Sequence, residues 1–159
     1  MTRAAERRRR QTGRSESGSF LAVPHAVLAS DAYRTLGAHA TKLLFDLGSQ
    51  YRGANNGDLS AAWRIMVARG WRSRDTLAKA LRELLDHGLI ELTRQGGLRR
   101  CSLYALTWRA IDECGGKLDV SPTSVASGAW KPGQREQIAS TATVSTRHAC
   151  RVNEGRNAA

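Results

Sequence analysis

The stretch SAAWRIMVARGWRSRDTLAKALRELLDHG, residues 60–88, decides the fold. Its second half carries the clearest periodicity in the chain. Leu77, Ala80, Leu81, Leu84 and Leu85 recur as one helical stripe, and Arg74, Asp75, Lys79, Arg82 and Glu83 fill the rest of the surface. Ser73 is suited to cap this helix and Gly88 to end it. Its first half predicts a shorter helix, capped by Ser60, running to about Ala68, and closed by Gly70 in a left-handed conformation. Trp63, Ile65, Met66 and Val67 supply its apolar side chains. Only Arg69-Gly70-Trp71-Arg72 separates the two helices, a connection short enough for a helix-turn-helix.

Working outward, Leu43, Leu44, Leu47 and Tyr51 follow Ala38 and Ala40 at helical spacing and predict a helix of about four turns. Gly53-Ala54-Asn55-Asn56-Gly57 cannot continue it, because Asn-Gly supplies positive φ angles at low steric cost and marks a tight turn. Earlier still, Phe20, Leu21, Val23, Val27, Leu28, Tyr33 and Leu36 open the core, with Pro24 suited to the first turn of a short helix and Ser30 or Asp31 to the cap of another. Downstream, Leu89 to Thr93 reads as a strand and Gln95-Gly96-Gly97 as a loop. Cys101 to Trp108 follows as a second strand in which Leu103, Ala105 and Thr107 alternate against Tyr104, Leu106 and Trp108.

The order of helix, turn, short helix, turn, helix and hairpin makes the chain mainly α with a small β-hairpin, an α+β arrangement of the winged helix-turn-helix kind. Its domain is expected over residues 19–118, with a core from about Phe20 to Trp108. Residues 1–18 contain Arg7-Arg8-Arg9-Arg10 and no large apolar side chain after Met1, and they are expected to form a disordered basic arm. Residues 119–159 are rich in Ser, Thr, Ala and Gly, and Val125, Trp130, Ile138 and Val144 are too sparse for a second core, so a disordered tail is expected there.

Among the 159 residues, 25 Lys and Arg stand against 14 Asp and Glu, a formal charge of +11. Six Arg against two Glu fall in residues 1–18, and five basic against three acidic residues in 119–159, so the middle segment is itself basic. Such a surplus favours a polyanionic partner, since neutralising phosphates releases condensed counterions. No apolar run is long enough for a membrane span or follows the Arg-rich start as in a secretory signal, and a cytoplasmic location is expected. Cys101, Cys114 and Cys150 are odd in number and widely spaced, which argues against a disulfide framework or a zinc site.

A helix fits the major groove with its N-terminal residues near base edges, which makes Arg72, Ser73, Arg74, Thr76, Lys79 and Arg82 the candidate duplex contacts, with Asp75 beside them. Arg72 and Arg74 can reach phosphate or the guanine acceptors, Ser73 and Thr76 can donate to phosphate, and Lys79 and Arg82 can follow the backbone. On the hairpin, Arg94 before the loop and Arg99-Arg100 after it form a second basic patch, suited to phosphates or the minor groove. A solvated helix side and a solubilised hairpin tip are the plainer readings of both patches.

His25, His39, His87 and His148 lie far apart, and no phosphate-binding glycine loop or nucleophile elbow occurs, so neither catalysis nor a cofactor or small-molecule ligand is expected. Asp31, Asp46 and Asp58 are conceivable metal carboxylates of a nuclease but are more ordinary as caps and solvated charges. Trp63, Trp71 and Trp108 would form the docking surface of a protein-interaction module, or else pack the core. RNA is the nearest rival within nucleic acids, although no stacking platform of exposed aromatics is evident. The sequence leaves the oligomeric state open; two-fold half-sites are expected if the chain forms a homodimer.

Val23-Pro24-His25 with Leu28 and Ala32-Tyr33-Arg34 carry a family pattern. It continues through Tyr51 with Asn55-Asn56-Gly57, Gly70-Trp71, Thr76-Leu77, Leu84-Leu85-Asp86 and Gly88-Leu89-Ile90, and ends on Ser102 to Trp108. Over Phe20 to Trp108 the chain resembles phage and plasmid replication or regulatory proteins with an N-terminal winged helix, of the replication protein O kind. The resemblance implies a double-stranded DNA-binding module in replication initiation or transcriptional control. Gly37-Ala38-His39 departs from that family's Ser-Pro helix start, and no helicase-loader segment is recognisable after Asp119, which favours a stand-alone regulator.

Overall fold

The computed structural model describes residues 19–134, so Arg7 to Arg10, Cys150 and His148 lie outside the described residues. Among the described residues, five α-helices, a single 3-10 turn (Cys114–Gly116) and a two-stranded antiparallel sheet form a mixed α+β fold. The helices are α1 (His25–Leu28), α2 (Asp31–Arg34), α3 (Ala38–Gly48), α4 (Trp63–Ala68) and α5 (Arg74–Asp86), followed by strands β1 (Ile90–Arg94) and β2 (Leu103–Leu106). No helix among them is long and apolar enough to cross a membrane.

Pro24 directly precedes α1 in an extended conformation, and Ser30 caps α2 by accepting from the Tyr33 N–H at 3.3 Å. Helix α3 is shorter than its apolar spacing suggests and ends at Gly48, leaving Tyr51 outside. Tyr51 is held instead by the Arg109 guanidinium, 4.5 Å above its ring. Leu21 packs against Gly48 so closely that a Cβ there would require the Leu21 side chain to shift. At the other end Gly37 offers no side-chain cap, and its own N–H donates to the Glu83 carboxylate of α5. A negative charge there also complements the helix dipole.

Ser60 does not cap α4, contrary to its position in the sequence; Ala62 stands at the helix start. The cause is tertiary. Leu59 pairs with Tyr104 through two backbone bonds of 2.8 and 3.2 Å, so the chain around Ser60 is extended along the edge of β2. The Gln50 carboxamide donates to the Ser60 carbonyl and accepts from its N–H, both at 3.0 Å. Helix α5 behaves as its sequence dictates. Ser73 caps it by accepting from the Thr76 N–H, and the chain leaves it through Gly88 at φ +67°, with Leu89 N–H donating to Leu84 and Gly88 N–H to Leu85. That pair of bonds is a Schellman ending.

Leu77, Ala80 and Leu84 of α5 face Ala40, Leu43, Leu44 and Leu47 of α3, and Val27, Leu59, Met66, Trp71, Leu89, Ile90, Tyr104 and Leu106 complete the same core. Strand β2 is buried along its whole length rather than alternately exposed. Tyr104 and Leu106 join the helical core, while Leu103, Ala105 and Ile111 are buried outside that cluster. The strand register shifts between Leu92 and Arg94, leaving Thr93 as an extra residue that turns inward and donates to the Gly57 carbonyl at 2.6 Å.

Residues 119–134 do not form the loose tail expected of their composition. Asp119 N–H donates to the Thr93 carbonyl at 2.9 Å and Gly128 N–H to the Thr107 carbonyl at 2.8 Å. Trp130 packs against the core, and the Ala129 carbonyl lies against Gly88 where a Cβ would otherwise stand. Backbone pairing, which composition does not display, ties the chain to the domain as far as Gly128, and the Trp130 side chain packs just beyond it.

Candidate nucleic-acid interface

The placement of α5 begins at the turn before it. Asp46 on α3 accepts from Trp71 Nε1 at 2.8 Å and from Lys42 Nζ at 2.6 Å, with an Arg69 guanidinium nitrogen 3.8 Å away. Lys42 also donates to the Arg69 carbonyl at 3.0 Å and lies 5.2 Å from the Trp71 ring centroid. Trp71 is itself buried in the core. The four-residue connection is thus fastened to α3, and the start of α5 has little freedom to turn.

With Leu77, Ala80 and Leu84 facing inward, the opposite side of α5 is polar. Arg72, Ser73, Arg74, Asp75, Lys79 and Arg82 are exposed and Thr76 is half-buried, so all six candidate contacts on this helix share its outer surface or its first turn. Lys79 pairs with Asp75 at 2.8 Å, a bond of little strength because both side chains are about three-quarters exposed. Arg74 lies 5.2 Å from the Trp63 ring on α4, which steadies a long side chain at the helix start. Ser73 Oγ is occupied as an acceptor of the cap bond, leaving its hydroxyl hydrogen available to a partner.

Arg99 and Arg100 are exposed at the hairpin tip, as their positions suggest. Arg94 is placed differently. Its Nε and Nη2 donate to the Cys101 carbonyl at 3.3 and 3.0 Å, and Nη1 to the Lys117 carbonyl at 3.4 Å. The bulge at Thr93 sets Arg94 opposite Leu103, from where its fork clamps the hairpin instead of reaching out from it. The interface candidates therefore fall on two elements, the outer side of α5 and the tip after β1. Sequence reasoning did not connect Trp63 with Arg74, nor Lys42 and Asp46 with Trp71, because no local pattern links residues so far apart in the chain.

The remaining chemistry is dispersed. Among the described residues no three His, Cys, Asp or Glu side chains gather as a metal site. Asp46 braces Trp71, Asp58 accepts from Lys117 at 2.6 Å, and Asp31 lies in the first turn of α2. The Asp58 bond raises the Lys117 ammonium above the usual lysine range, and burial raises the Cys114 thiol beside it. His87 caps the end of α5 against the Glu83 carbonyl at 2.8 Å, and His25 and His39 are exposed. Trp63 and Trp108 are half-buried against the core, so the three tryptophans are mainly packing residues. Comparison of the chain with family models, with curated proteins and with solved structures finds no match.

Proposed function

We propose that this protein is a double-stranded DNA-binding protein of the winged helix-turn-helix kind, in which α5 lies in the major groove and the hairpin after β1 serves as a basic wing. The observation that carries the reading is the outer surface of α5: its basic and hydroxyl side chains stand clear of the core while the connection leading into it is fixed to α3 through Trp71 and Asp46. A helix presented rigidly, with cations at its N-terminal end, suits base edges and the phosphates beside them. The pairing of Leu59 with Tyr104 supports the same reading, since it adds a strand-like segment between α3 and α4 to the order of elements.

The formal charge of +11 supplies the sequence-independent part of the affinity. Together with the family pattern over Phe20 to Trp108, it directs the proposal to control of transcription or initiation of replication on a phage or plasmid element. A salt titration on fragments of a phage or plasmid origin and its neighbouring promoter, with random duplex of equal length as competitor, tests it. Preference retained above physiological salt supports a sequence-specific regulator or initiator. Affinity that collapses with salt and shows no preference reduces the protein to a general polyanion binder.

A further inference from the structure

We infer that the hairpin tip carries an apolar wedge, Leu98, which enters the minor groove of duplex DNA and partly unstacks a base step, with Arg99 and Arg100 holding the flanking phosphates; the inference rests on the duplex-binding reading above. Gly97 and Arg100 close the tip through two backbone bonds of 3.0 and 3.1 Å, leaving Leu98 and Arg99 as its central residues. Both break the local rules of such a turn. Leu98 is 95 % exposed where polar turn formers are usual. Arg99 holds φ +66°, a left-handed conformation for which glycine or asparagine is the ordinary choice, although Gly96 and Gly97 are close by in the same loop.

Local rules broken side by side at one exposed point are expected where function, not folding, selects the residues. An apolar side chain set among arginines matches the way minor-groove proteins insert wedges while cations meet the phosphates. The tip is also held stiffly enough to do it. Arg94 clamps the Cys101 carbonyl, Ser102 Oγ accepts from the Gly96 N–H at 3.0 Å, and the Asp119 carboxylate accepts from the Gln95 N–H at 2.8 Å. A Cβ on Gly96 would come within 2.7 Å of the Ser102 nitrogen, so the loop closes tightly just below the tip.

The test uses the full chain and short duplexes carrying 2-aminopurine in a TA step, the kind of step that unstacks most easily. Wild-type protein is expected to raise the 2-aminopurine fluorescence. Leu98→Ala should abolish that rise and weaken binding roughly tenfold without altering the salt slope, whereas Arg99→Ala should lower the slope by about 1. Leu98→Phe should restore the signal. Duplex binding by wild type with a rise that Leu98→Ala leaves intact overturns the wedge alone. Absence of any duplex binding by wild type overturns the DNA reading and the wedge with it. A shift of the DNA-free protein toward smaller species in Leu98→Ala, with fluorescence unchanged, would assign Leu98 to contact between copies instead. Because Leu98 has no core contacts to lose, circular dichroism of each variant should match wild type.

Discussion

The side chain of Asn56 and the backbone of Leu106 pair through both polar ends of the carboxamide: Nδ2 donates to the Leu106 carbonyl at 3.0 Å, and Oδ1 accepts from the Leu106 N–H at 2.8 Å. Asn56 therefore takes the place of a neighbouring strand at the end of β2. The same Nδ2 lies within 2.9 Å of the Ala110 carbonyl, and the Asn56 N–H donates to the Asp112 carboxylate at 2.7 Å. A fully buried side chain thus joins the loop after α3 to the segment that leaves the sheet.

Replacing it tests that role. Asn56→Ala leaves the buried N–H of Leu106 and several carbonyls without partners, and unpaired buried groups cost about 1–3 kcal/mol each before any relaxation. A loss of about 2–4 kcal/mol in urea unfolding is expected, with Asn56→Asp no better because a carboxylate would face carbonyl oxygens. A loss under about 0.5 kcal/mol, the size of an ordinary surface change, would show that the pair is dispensable.

Asn56 also marks where the sequence stops being legible. Asn-Gly reads locally as a turn, and Gly57 does adopt φ +124°, but Asn56 has no positive φ and is retained for partners about fifty positions away. Features settled within one turn of chain were readable: the Ser73 cap, the left-handed Gly70 and Gly88, and the buried stripe of α5. Features settled by distant pairing were not. Ser60 is drawn into an extended segment by Tyr104, Arg94 is turned back onto the Cys101 carbonyl, and the chain after Asp119 is secured by backbone bonds that its composition does not advertise. The candidate interface was legible because exposed cations on a strongly periodic helix need no tertiary knowledge to locate.

Glu91 links stability to pH. Burial raises its carboxyl above the ordinary value of 4.5, an effect that the Ser127 hydroxyl, donating at 2.9 Å, only partly offsets. The folded chain therefore keeps this proton longer than the unfolded chain does. As pH rises past the ordinary carboxylate value the unfolded form ionises first, and the native state loses stability until its own Glu91 has ionised. Glu91→Gln should accordingly raise the thermal midpoint at neutral pH, with the gain shrinking as pH falls toward the ordinary value of 4.5 and absent below it. A gain independent of pH would point to packing rather than ionisation.

Arg74 and Arg99 should separate base reading from phosphate contact. If Arg74 makes a two-point contact to a guanine, Arg74→Ala should weaken the preferred duplex by about 1–3 kcal/mol more than a random one, whereas Arg99→Ala should weaken both alike. The Trp63 ring beneath Arg74 sharpens the comparison, because Trp63→Leu would release the guanidinium without removing it. Competition titrations with both duplexes measure these differences. Equal losses on the two duplexes for Arg74→Ala would remove it from base reading.

Ser73 can be asked to cap α5 and to meet a phosphate in separate substitutions. Ser73→Ala removes the acceptor of the Thr76 N–H and should lower stability by about 1 kcal/mol. Ser73→Asp restores the cap, since a carboxylate accepts the same N–H and suits the positive end of the helix. Its stability in urea should return to the wild-type value. On duplex DNA the outcome should invert, because a negative charge at the helix start repels the phosphates that a hydroxyl would approach. Ser73→Asp should then bind all duplexes more weakly than Ser73→Ala despite being the more stable protein. If the two variants bind in the order of their stabilities, the N-terminus of α5 does not lie against the DNA backbone, and the groove assigned to this helix has to be given up.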